Sequence, residues 1–388
     1  MRRLTRAWIP APLAGLLIIF CLLQPKSQAL PTMIRLGYTN CSSCHIAPQG
    51  GGLLNLYGRS IDQAQSLVGG EYEPWQSAFA QTINWGGRIT QDFRLVMQQQ
   101  DTSTTDKAGT QLFRNRFIYR NATELGHGWR ITATVTGENA SAPRPTLSYD
   151  LPAKPLEVFV NTALISYRTG HNLEFSAGRD MLPTGVDIAD LSVFVRARNR
   201  LGYYDSPTQA KVFWWGKRYL INPYAFGPGG NERSGLHESG GGMLAEMDVL
   251  GNHRTVAGMN FLQGESAGQN RRMIGPYTRL GFGRWGFLAE HDITDRTLKT
   301  GTLTTFRQTA SYGQLFWAAR EWLVASLIGE RLRVEAPYTE HLNAAKFELA
   351  ARLTSQATVS IGPRIQWDPI SGRITRSVVF QLAVKTVH

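Results

Sequence analysis

From Thr82 onward the chain alternates apolar and polar residues with a period of two. Across positions 82–97, Ile83, Trp85, Ile89, Phe93, Leu95 and Met97 share one face, and Asn84, Arg88, Thr90, Asp92 and Arg94 share the other. Trp129, Ile131, Ala133 and Val135 alternate in the same way with Arg130, Thr132, Thr134 and Thr136. Phe113, Phe117 and Tyr119 lie opposite Arg114, Arg116 and Arg120, and Val359, Ile361, Ile365 and Trp367 opposite Ser360, Arg364 and Gln366. Strands with one apolar and one polar face produce this pattern. A soluble β-sandwich alternates too, so the period alone leaves both architectures open.

Turn spacing separates them. Tight connections recur at 126–128, 169–171, 216–218, 251–253, 283–285, 319–321 and 355–356, with longer polar stretches between them, among them 140–155, 181–209, 227–242 and 263–275. Short turns at one end and longer loops at the other mark an outer-membrane barrel. Seven tight turns bring two strands each, and one strand at either end makes sixteen. Both chain ends then fall on the short-turn, periplasmic side. Trp129, Trp214, Trp215, Trp285, Trp317 and Trp322 all lie within three residues of a tight turn, as an interfacial girdle requires. The stretch 188–200 inside the longest loop reads as a helix or an inward-folded loop. The last strand carries Val378, Phe380, Leu382, Val384, Thr386 and His388 on one face and ends in His rather than an aromatic residue.

Composition agrees: 388 residues with 42% hydrophobic and 18% charged are too apolar for disorder and too polar for a bundle of membrane helices. The first thirty residues stand apart. Arg2, Arg3 and Arg6 precede an apolar run from Ala11 to Leu23, and Ser27-Gln28-Ala29 offers small residues for cleavage, so 1–29 is expected to be an export signal. Its loss removes four basic residues and lowers the net charge from +12 to +8. The remaining excess is scattered, with no basic patch interleaved with aromatics, which argues against a nucleic-acid partner.

Cleavage also removes Cys21, and the two cysteines that remain form one motif, Cys41-Ser42-Ser43-Cys44-His45. Two intervening residues set the separation at which thiols add to the vinyl groups of a haem, and the next position supplies an axial imidazole. A dithiol redox pair or half of a zinc site shares the spacing, although zinc needs two more ligands and the next histidine is His127. One covalent haem c is therefore expected on Cys41 and Cys44, with His45 as iron ligand. Arg59 is positioned either to pair with a propionate or to remain a solvated surface cation. Met33, His127, His171 and His253 are the candidates for the distal position. The organisation expected is a signal peptide over 1–29, a monohaem cytochrome segment with linker over 30–81, and a barrel over 82–388. Some fifty residues cannot form a globular cytochrome with its own core, so the haem segment is expected to enter the wide lumen of the barrel from the periplasmic end.

The export signal, a single early CxxCH followed by Pro48 and by Tyr57-Gly58-Arg59, and then a barrel to the C-terminus resemble the fused outer-membrane monohaem cytochrome and porin proteins, best known from iron-oxidising bacteria. The resemblance implies an all-β, transmembrane antiparallel barrel of about sixteen strands with a haem plug, in the bacterial outer membrane. It further implies Cys41 and Cys44 as haem attachment points, His45 as proximal ligand, and electron transfer between an extracellular substrate such as Fe(II) and a periplasmic c-type cytochrome. Inward arginines are expected to raise the haem potential. Two other readings stay open: a solute porin with a structural haem plug, and a haem enzyme such as a peroxidase.

Overall fold

The computed structural model describes residues 31–39, 41–48, 52–68, 88–105, 110–140, 156–170, 172–183, 185–186, 188, 190, 192–202, 205–229, 237–299 and 304–387. The expected signal peptide, most of the expected linker, Ile83, Trp85, His171 and His388 lie outside the described residues.

Sixteen strands form one closed antiparallel barrel in which each strand pairs with its neighbours in sequence, and the first pairs with the last. They are β1 (Ile89–Thr104), β2 (Thr110–Gly126), β3 (Trp129–Ala140), β4 (Glu157–Thr169), β5 (Leu173–Arg179), β6 (Thr208–Trp215), β7 (Tyr219–Gly227) and β8 (Ser239–Asp248). The second half comprises β9 (Thr255–Glu265), β10 (Gln269–Phe282), β11 (Trp285–Leu298), β12 (Thr304–Arg320), β13 (Leu323–Val334), β14 (Glu340–Arg352), β15 (Ala357–Trp367) and β16 (Ile374–Val387). Closure leaves no unpaired edge, which a sheet in lipid requires.

The period of two becomes a division between the two faces of the wall. On β13, Val324, Ser326, Ile328 and Glu330 are buried, while Leu327 is one of the most exposed large apolar residues of the chain. Elsewhere Ile274, Phe347, Phe380 and Trp129 face out, and Glu138, Asn161, Glu174, Asp292 and Arg296 face in. An apolar exterior around a polar-lined interior is the pattern of a barrel that faces lipid.

Two sequence expectations need correcting. Trp215 and Trp322 are buried, so the girdle at the tight-turn end consists of Trp129, Trp214, Trp285 and Trp317, the last two stacked at 5.9 Å. The polar stretch 263–275 is not a long loop: β9 ends at Glu265, and Ser266 closes a three-residue connection by receiving the Gln269 N–H on its hydroxyl at 3.1 Å.

The connection between β5 and β6 folds inward. Its one short helix, α1 (Phe194–Ala197), has no side-chain cap of its own, and Glu330 on the wall accepts the Phe194 N–H at 2.8 Å instead. Glu290 accepts the Val186 N–H at 2.9 Å, Asp292 accepts from Asn199 Nδ2 at 2.7 Å, and Lys346 meets Asp190 at 3.0 Å. Between these polar ties Val186, Val193, Phe194 and Val195 pack on Phe213, Tyr277, Phe316 and Leu332 of the wall. Each such side chain buried stabilises the packing by about 1.5–3 kcal/mol. Loop and wall thus share a packed cluster along β6 to β14, and the free space is lined by β2 to β8, by β10 and by the loop itself.

Candidate cofactor site

The Cys41-to-His45 motif begins as a turn of 3₁₀ helix over Cys41–Ser43, in which the Cys44 and His45 N–H groups both donate to the Cys41 carbonyl, at 3.2 and 2.9 Å. The chain then doubles back: His45 bridges Leu54, and the Ile46 N–H donates to Leu53 O at 3.0 Å. Asn55 joins this loop to the next helix, α2 (Leu56–Ala64). Its Oδ1 accepts the Gly58 N–H at 2.8 Å as a helix cap, its Nδ2 donates to Ser43 O at 3.1 Å, and its own N–H donates to Cys44 O at 2.9 Å. Cys41 is half-buried, Cys44 buried and His45 half-buried, and neither cysteine is in a disulfide. Burial pushes the Cys44 thiol above its ordinary range. Among the described residues no group of three or more His, Cys, Asp or Glu is arranged to hold a metal ion.

The segment is fastened around the barrel at its tight-turn end. A 3₁₀ helix over Pro31–Leu36 lies against β10 at Gly281, where a Cβ would come within 2.5 Å of the Arg35 Cα. Arg35 pairs with Glu321 at 2.6 Å. Barrel guanidinium groups donate to its backbone: Arg279 to Thr39 O at 3.3 Å, Arg120 to Gly52 O at 3.1 Å and Arg168 to Ile46 O at 3.4 Å. Buried Asp62 on α2 receives both Arg352 of β14 and Lys385 of β16, and the Leu67 and Val68 N–H groups donate to Arg352 O and Leu353 O, each at 3.0 Å. These partners are distributed around the circumference, so the described residues of the segment, 31–39, 41–48 and 52–68, lie across one mouth of the barrel.

Above the motif is a cavity with about 1550 Å³ of empty space. Cys41, Ile46, Pro48 and Leu53 line it from the segment, and Arg120, Arg130 and Arg279 from the wall. Much of this space is open to solvent; the volume available to the centre of a water molecule, the measure to set against the ~300–1,000 Å³ usual for a ligand site, is about 160 Å³. Two thiols at the required spacing, an adjacent imidazole, an apolar floor and guanidinium groups at the rim fit a covalent haem with its carboxylates. The wall arginines are not naked charges, however. Arg279 pairs with Glu246 at 2.7 Å, Arg130 with Glu174 at 2.6 Å and Arg120 with Asp92 at 3.5 Å, which weakens the field they would exert on a redox centre.

The other sequence candidates are scattered. Arg59 is half-buried on α2, next to the Gly58 that packs on Cys44. Met33 is buried, with its Sδ 3.7 Å from Gln65 Nε2. His253 lies in the β8–β9 turn with its N–H on Asp248 Oδ2 at 2.8 Å and its Cβ near Gly37, whereas His127 occupies the β2–β3 turn at φ 51°. Sequence reasoning missed Asn55, Asp62 and Arg279. The first is visible afterwards as a capping residue before a helix, but nothing in the sequence links Arg279 to Thr39 across 240 positions.

A closed sixteen-stranded antiparallel barrel with an inward-folded loop is the architecture of the porins. Solved structures with this fold include the outer-membrane-expressed OmpT of Vibrio cholerae, at 9% identity and TM-score 0.55, covering 77% of this chain and 98% of that one. The anion-selective porin from Comamonas acidovorans matches at 11% identity and TM-score 0.56, covering 76% and 99%. OprB of Pseudomonas putida matches at 10% and 0.56, covering 77% and 94%. No protein-family model and no curated protein matches the chain.

Proposed function

We propose that this chain resides in the bacterial outer membrane as an electron conduit, with one haem c attached at Cys41 and Cys44, ligated by His45 and held in the barrel mouth. The observation that carries the reading is that Cys41 of the CxxCH turn lines a cavity bordered also by the β5–β6 loop and by Arg120, Arg130 and Arg279 of the wall. When bound, the haem supplies one-electron chemistry. The chain's own residues do the rest: Asn55 and Gly58 fix the turn that carries both thiols, Asp62 and Arg35 hold the segment to the wall, and Arg120, Arg130 and Arg279 are placed to receive the carboxylates. The partners would be an extracellular redox substrate such as Fe(II) and a periplasmic c-type cytochrome, as in the cytochrome–porin fusions that the motif resembles.

The first test is attachment. Expressed with a haem-attachment system, the wild-type protein should give one haem-stained band in the outer-membrane fraction, and C41A/C44A an unstained band of the same heat-modifiable barrel. An unstained wild-type band ends the proposal. Likeness to porins favours a second reading, a solute porin in which the segment is a structural plug. It requires ion conductance in planar bilayers that survives His45→Ala.

A further inference from the structure

The outer surface of β13 to β16 carries a groove that the conduit does not use. It is open, with about 1640 Å³ of empty space, walled by Leu327, Phe347, Ile365 and Val378 and floored by Gly329, Ala345 and Pro363. The large side chains lie on the lipid-facing side of the wall, and Gly329 stands directly opposite Ala345 in the strand register. The groove is therefore a furrow in the apolar belt, of a shape that suits a hydrocarbon chain.

Its rim toward the longer loops is cationic. Arg376, opposite Ile365 on β16, lines the groove and is exposed. Arg331 on β13, one outward position beyond Gly329, is exposed too, and Asn343 and Trp367 continue its row. Arg333 follows on the same face. Asp101 is the one carboxylate among the lining residues. Three inter-strand steps at ~4.8 Å and an offset of two residues along the strand at ~3.4 Å each separate Arg331 from Arg376, or about 16 Å. Cations at the edge of an apolar belt sit at the depth of lipid headgroups.

We propose that this groove binds a phosphorylated glycolipid of the outer leaflet, one acyl chain in the furrow and phosphates at Arg331 and Arg376. The spacing suits two phosphates at opposite ends of a disaccharide headgroup better than one phosphodiester, and guanidinium groups bind phosphate oxygens in bidentate fashion. The proposal rests on the outer-membrane reading and is independent of the haem.

The test is native mass spectrometry of the full chain purified from the outer-membrane fraction in detergent. The probes are bisphosphorylated lipid A, the same lipid stripped of phosphate, and phosphatidylglycerol. Bisphosphorylated lipid A should be retained, with binding weaker by about tenfold for the stripped lipid and for R331Q/R376Q. Equal retention by that variant, or phosphatidylglycerol bound as tightly as lipid A, overturns the proposal. If the variant does not yield a heat-modifiable barrel, the comparison of the two lipid A forms on the wild type decides. A wild-type protein absent from the outer-membrane fraction would instead defeat the location.

Discussion

Gly58 packs on the carbonyl of Cys44 so closely that a Cβ at position 58 would overlap the carbonyl oxygen. The glycine of the Tyr57-Gly58-Arg59 triplet thus serves the Cys41-to-His45 motif sterically, by letting α2 rest on the turn that carries both thiols. Gly58→Ala should force that contact apart, at a cost of about 1–3 kcal/mol. Haem staining per barrel should fall, with the heat-modifiability of the barrel unchanged; staining equal to wild type would remove Gly58 from the account.

Asp62 joins the segment to two strands at once. Asp62→Asn would leave Arg352 and Lys385 buried without their countercharge, and breaking a buried pair costs about 3–5 kcal/mol. The expected outcome is a segment 31–68 cleaved by protease in detergent under conditions where the wild-type segment survives and both barrels remain intact.

The two cysteines should differ in reactivity before haem is attached. Cys44 is buried and its thiol is pushed above the ordinary range, whereas Cys41 is half-buried and more accessible to reagent. The sign follows from the raised value: the folded protein holds this proton more tightly than the unfolded chain. The associated stability is complete below the ordinary thiol range and fades as pH rises through the raised value. Alkylation of the apo-protein at pH 8, followed by peptide mapping, should label Cys41 first.

Filling of the lumen depends on ties that can be cut singly. Glu290 holds the Val186 N–H at 2.9 Å and Arg196 at 3.3 Å. Glu290→Ala should loosen the β5–β6 loop and raise single-channel conductance in planar bilayers above a low wild-type level. A wild-type barrel that already conducts like an open porin would show that the loop does not block it.

The sixteen-strand barrel was legible because the alternation of side chains and the tight turns are local signals, repeated along the chain. The motif from Cys41 to His45 was legible for the same reason. Other features depended on distant partners. Trp215 and Trp322 share the closeness to a tight turn of the girdle tryptophans, but Trp215 is on the face of β6 opposite Trp214 and Trp322 is buried in the β12–β13 turn. The polar run 263–275 looked like a loop because Gln269 and Arg271 are polar residues of a polar interior rather than of a solvent-exposed turn. The ties from Asp62 to Arg352 and from Arg279 to Thr39 join positions hundreds of residues apart, and barrel closure alone brings them together.

The central claim is that electrons cross the bilayer through this protein. It is tested most directly by reconstituting the haem-loaded protein into liposomes that enclose a redox dye and adding a membrane-impermeant reductant outside. The account expects the trapped dye to be reduced with wild-type protein and not with C41A/C44A. Haem that becomes reduced while the enclosed dye stays oxidised would contradict it.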